Sequence, residues 1–108
     1  MLLLFDQGTP LPLRAYLSNH TVISAFERGW SELENGELLS SAEVEGFDAL
    51  ITTDQNLRYQ QKLSARRIAV VVLLTTSWPR IERNVSLVVD AIANISEGTY
   101  QEVSFPDI

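Results

Sequence analysis

The stretch Leu2-Leu3-Leu4-Phe5-Asp6-Gln7-Gly8-Thr9-Pro10 decides the fold class. Four consecutive large apolar residues without alternation suit a strand buried on both faces, as in a parallel sheet covered by helices. A carboxylate follows at once, and then a glycine and two prolines, Pro10 and Pro12, that read as a turn and a helix start. Open α/β sheets bind ligands just beyond the carboxyl ends of their strands. Asp6 therefore stands where chemistry is expected.

Working outward, Leu13, Tyr16 and Leu17 fall at helical spacing and predict a helix of about eight residues. His20 closes it, where a partial positive charge would suit the helix dipole. Residues 21–26 read as a second strand and Glu27 to Asn35 as an acidic loop at the same sheet edge as Asp6. A helix is expected to start at Asn35 or Gly36 and stop at Gly46. Phe47 to Thr53 reads as the third strand, ending in the polar run Thr52-Thr53-Asp54-Gln55-Asn56. The next helix would place Arg58, Lys62 and Arg66, each four residues apart, on one face. Ile68 to Leu74 is the most apolar strand. Pro79 opens a last helix whose stripe Ile81, Val85, Val88, Ile92 and Ile95 keeps a period near 3.6, with Gly98 as its stop. Tyr100 to Val103 is a final short strand.

Strand and helix thus alternate four times before the last strand. This order predicts a three-layer α/β/α sandwich on a mostly parallel sheet of about five strands. One domain over residues 1–104, with a tail over 105–108, accommodates the chain of 108 residues.

Composition narrows the chemistry. The chain has no cysteine and one histidine, which excludes disulfides, thiolate sites and multi-histidine metal sites. A metal would be held by oxygen, pointing to Mg2+ or Mn2+. No apolar run approaches the roughly 20 residues of a membrane span, and Leu2 to Phe5 is too short for a secretion signal. A cytoplasmic protein is expected, without membrane contact. The net charge of −6 argues against a broad nucleic-acid surface but leaves room for a small site where a cation neutralises carboxylates.

Asp6 closes the first strand, Asp54 closes the third, and Glu37 opens the helix between the second and third. In a parallel sheet these positions share one edge, so three carboxylates are expected to converge. Acids brought together repel unless a cation or proton intervenes. A divalent ion there activates water and stabilises charge developing on a phosphate. Each acid has an ordinary alternative as a helix cap. Arg58 and Lys62 are candidates to meet the phosphates of a nucleic acid, and Trp30 to stack on an unpaired base. For the basic face and the tryptophan, a solvated surface and simple packing are the alternatives.

Together, Leu3-Leu4-Phe5-Asp6-Gln7 with Pro10, Gly29-Trp30 followed by Asn35-Gly36-Glu37-Leu38-Leu39, and Phe47-Asp48-Ala49-Leu50-Ile51-Thr52-Thr53-Asp54-Gln55-Asn56-Leu57 resemble the small PIN-like proteins. These are minimal relatives of the PIN-domain ribonucleases of bacterial toxin–antitoxin pairs, and the resemblance runs over nearly the whole chain. It implies a PIN-like sandwich binding Mg2+ or Mn2+ at the strand ends, with Asp6, Glu37 and Asp54 as catalytic and metal-binding acids. Asn56 stands where the family pattern has a second acid, and Leu57 where it has phenylalanine. Asn56 supplies an oxygen ligand without charge.

The expected function is a metal-dependent endoribonuclease acting on single-stranded RNA, with an antitoxin protein or a second copy of the chain as partner. The alternative is an interaction module that keeps the fold and has lost activity. A receiver-like domain fits less well, since the only lysine, Lys62, falls within a predicted helix.

Overall fold

The computed structural model describes residues 1–60 and 62–106. Five strands form one sheet in the order β2-β1-β3-β4-β5, every neighbouring pair parallel. They are β1 (Leu2–Phe5), β2 (Thr21–Ser24), β3 (Ala49–Thr52), β4 (Ala69–Leu73) and β5 (Tyr100–Val103). The unbroken apolar runs are the inner strands. Every residue of β3 and β4 is buried, as are Leu3, Leu4 and Phe5.

Alternate side chains go to opposite faces. Leu3, Phe5, Ile51 and Val71 pack under Leu13, Ile81, Val88 and Ile92 on one side. Leu4, Leu50, Val70 and Val72 pack under Leu38, Leu39, Ala42 and Leu57 on the other. One face is thus covered by α3 (Trp78–Arg83), α4 (Val85–Ala93) and a 3-10 helix over Leu11–Tyr16. The opposite face is covered by α1 (Asn35–Val44) and the single turn α2 (Leu57–Gln60). Burial on both faces explains why the strands carry no alternation.

Local chemistry sets the boundaries. Gly46 and Gly98 have φ of 82° and 75°, a region that side-chained residues seldom adopt. Gly46 lets the chain turn from α1 into β3. Ser77 caps α3 by accepting from the Arg80 N–H, with Pro79 in the first turn.

Several expectations change. The first helix is a 3-10 helix of six residues, Leu11–Tyr16, with Pro10 before it and Pro12 in its first turn. His20 lies in the turn beyond it, and burial lowers its pKa instead of the dipole raising it. The apolar stripe from Ile81 is divided at Asn84, whose φ/ψ of −126°/29° ends α3 and opens α4. Ile81, Val88 and Ile92 nonetheless face the core. The helix meant to align Arg58, Lys62 and Arg66 is replaced by α2 and a 3-10 turn over Leu63–Ala65, with Lys62 extended between them. Of the tail, Asp107 and Ile108 lie outside the described residues.

Candidate functional site

The strand order reverses direction at β1: β2 lies on one side of it, and β3, β4 and β5 follow on the other. A crevice beyond the carboxyl ends at such a switch point is where α/β sheets bind ligands. The switch point here falls between β1 and β3, whose carboxyl ends carry Asp6 and Thr52-Thr53-Asp54.

Register explains how these residues meet. Phe5 pairs with Ile51, so one residue further Asp6 and Thr52 lie side by side on the face covered by α1. The Asp6 N–H donates to the Ile51 carbonyl at 3.3 Å, holding the strands together to this point. The Thr52 hydroxyl then donates to Asp6 Oδ2 and accepts from the Asp54 N–H at 3.0 Å. A single buried threonine thereby joins the two acids. Gly8 closes the loop, since a Cβ there would come within 2.8 Å of Thr53 Oγ1.

The other oxygen of Asp6 meets Thr9. Thr9 Oγ1 lies 2.7 Å from Asp6 Oδ1 and 2.7 Å from the Ile51 carbonyl oxygen, two acceptors for one hydroxyl proton. The Thr9 hydroxyl donates toward both, tying the Asp6 carboxylate to the backbone of β3. Burial pushes the Asp6 carboxyl above its ordinary pKa, against the donors Thr52, Thr9 and Gly8 N–H, and the charge of Asp54 adds a smaller upward push. Asp6 holds its proton more tightly than a carboxyl in water.

Asp54 is held from its other side. Its Oδ1 accepts from the Asn56 N–H at 2.9 Å, an Asx turn, and its Oδ2 accepts from Asn35 Nδ2 at 2.9 Å. Asn35 opens α1 and gives its second amide hydrogen to Gln60 Oε1 at 3.1 Å. The start of α1 thus reaches Asp54 through Asn35.

Glu37 has different work. Its side chain accepts from the Glu34 N–H at 3.3 Å, while the Glu34 side chain accepts from the Glu37 N–H, a reciprocal capping box. Among the described residues no three of His, Cys, Asp and Glu are arranged to hold a metal. The expected trio of carboxylates is therefore a pair, Asp6 and Asp54. Asn56 contacts Asp54 through its backbone.

The donor set still suits Mg2+ or Mn2+. Mg2+ commonly takes one or two carboxylates and completes its shell with water and substrate phosphate. Both Asp54 oxygens have a second acceptor site left after their hydrogen bonds to the Asn56 N–H and Asn35 Nδ2.

The predicted RNA contacts divide. Arg58 lies in the turn after Asp54, with its guanidinium 4.7 Å from the Tyr59 ring centre and 3.5 Å from Glu102. Arg66 instead turns to α1 and pairs with Glu43 at 2.8 Å. Trp30 stands away from the acids, edge-on to Phe47 at 5.9 Å with Arg28 over its ring. Lys62 is exposed. A cavity of about 350 Å³ lies at the amino edge of the sheet, beside Phe47, Asp48 and Ala69, remote from the acid pair.

Sequence reasoning found both acids and missed Thr9, Thr52 and Asn35. The available signal was a hydroxyl residue, Thr52, ending an otherwise apolar strand two residues before an acid.

No helix among the described residues is long and apolar enough to cross a membrane. Comparison with protein-family models, with curated proteins and with solved structures finds no match in any of the three.

Proposed function

We propose that this chain is a PIN-like endoribonuclease that uses Mg2+ or Mn2+ at the acid pair Asp6–Asp54 to cleave single-stranded RNA. The observation that carries the reading is the juncture itself. Two carboxylates at the switch point are joined through one buried threonine, and one of them is held at a raised pKa by burial. Perturbed acids at such an edge are a physical signature of a site. The resemblance of residues 2–10 and 47–57 to PIN-like proteins supplies the reaction class.

Asp6 and Asp54 would hold the ion. When bound, it supplies a water acidified toward neutrality and positive charge against the phosphate. Thr52 and Thr9 fix the rotamer of Asp6, and Asn35 fixes that of Asp54. Gly8 keeps the loop after β1 close to Thr53. A cation and a proton would compete for Asp6, so affinity would rise with pH through the carboxyl's titration. An antitoxin protein or a second copy of the chain is the partner class that accompanies this reading.

A second reading has its own support. Glu37 serves as a cap, Asn56 replaces an acid, and the chain carries net charge −6. These fit a PIN-like interaction module without catalysis. Calorimetric titration with Mn2+ separates the two. The ribonuclease reading expects binding that Asp54→Asn abolishes; heat indistinguishable from buffer dilution up to millimolar Mn2+ supports the module.

A further inference from the structure

After Asp54, α2 and β5 bring together Arg58, Tyr59 and Tyr100, a group that the acid chemistry leaves unused. Tyr59 is 73% exposed, a large outlay of ring surface to water. Arg58 donates to the Tyr59 hydroxyl at 2.5 Å, with its guanidinium 4.7 Å from the Tyr59 ring centre and 5.8 Å from that of Tyr100. Tyr100 in turn donates its hydroxyl to Glu102 at 2.8 Å, and Glu102 lies 3.5 Å from Arg58. Among the described residues no second ring packs on Tyr59.

Charge singles out the same segment. Residues 57–67 contain Arg58, Lys62, Arg66 and Arg67, half of the eight Lys and Arg, and no acid. This run lies within a chain of net charge −6. The segment is also tied to the acid pair, because Gln60 and Asp54 accept from the same Asn35 amide and the Tyr59 N–H donates to the Asn56 carbonyl at 3.0 Å.

The geometry points to Tyr59, backed by Arg58 and Tyr100, as a stacking platform for one unpaired base of an RNA strand whose phosphates continue toward Asp54; the choice of RNA as ligand rests on the ribonuclease reading. An open ring beside a guanidinium offers a base one face on which to stack and its phosphate a cation, and stacking is tolerant of sequence. Trp30, first considered for this role, is instead packed against Phe47. Glu102, 3.5 Å from Arg58, competes with phosphate for it.

The test uses the whole chain, a fluorescein-labelled oligouridylate and excess EDTA, with binding read by anisotropy so that cleavage plays no part. Tyr59→Ala should weaken binding about tenfold, Tyr59→Phe should keep it, and Glu102→Gln should tighten it. A 2-aminopurine base in the strand should change its emission on binding to the parent protein and not to Tyr59→Ala. The platform is overturned if Tyr59→Ala binds as well as the parent, if Tyr59→Phe fails alongside it, or if duplex RNA competes as well as single strands. Binding of this pattern without any Mn2+-dependent cleavage would keep the platform and remove the ribonuclease reading. Cleavage unaffected by Tyr59→Ala at low substrate would do the reverse.

Discussion

Replacing Thr52 by valine isolates the juncture on which the site depends. The side chain is fully buried, and valine keeps its shape and β-branching while deleting one hydroxyl. Two partners are stranded: Asp6 Oδ2 loses a donor, and the Asp54 N–H loses its acceptor. A hydrogen bond to a charged group contributes about 1.5–3 kcal/mol, and an orphaned donor costs about 1–3 kcal/mol. The Asp54 backbone is only half-buried, so the low end applies to it, and the total is about 2–4 kcal/mol near neutral pH. For a domain of this size that lowers Tm by about 10–25 °C. The loss should shrink at about pH 4, where a protonated Asp6 makes a weaker bond to Thr52. Urea unfolding of Thr52→Val and Thr52→Ser at both pH values provides the assay. Serine should restore most of the stability. A valine variant as stable as the parent, or one whose deficit does not vary with pH, refutes the assignment of Thr52 as the bridge.

Three further outcomes follow from the same electrostatics. Asp6 has a folded pKa above its ordinary 3.8, so the folded state binds the proton more tightly and stability falls as pH rises through that range. Asp6→Asn in EDTA should therefore raise the urea midpoint at about pH 8 and leave it nearly unchanged at about pH 4. Glu27, whose carboxylate is bound by Arg14 and the Ser24 N–H, is pushed down to about 2. Its NMR titration should show that midpoint and return toward 4.5 in Arg14→Met. Burial, with Glu102 beside it, pushes Tyr100 up to about 12. The folded state keeps that proton where the unfolded chain has lost it, so stability should decline between pH 10 and 12 by alkaline urea titration.

The sheet was legible because burial on both faces leaves a direct mark, the unbroken runs Leu2 to Phe5 and Ile68 to Leu74. Gly46 and Gly98 were legible as stops for the same local reason. The break at Asn84 was not, because the apolar period continues across it from Ile81 to Val88 and Ile92. Asp6 and Asp54 could be read from their places at strand ends. Their link through Thr52 depends on β1 and β3 being neighbours in register, which no local pattern states. Glu37 illustrates the converse. Its position at a helix start suited either a ligand or a cap, and the Glu34–Glu37 pair closes as a capping box.

Cleavage of a fluorescent single-stranded RNA by the purified chain tests the central claim most directly, run in Mn2+, in EDTA, and with Asp6→Asn and Asp54→Asn. The acid-pair site predicts cleavage by the parent in Mn2+, none in EDTA, and loss of at least about a hundredfold in either variant. Cleavage that persists in EDTA, or that both variants retain at the parent's rate, contradicts it.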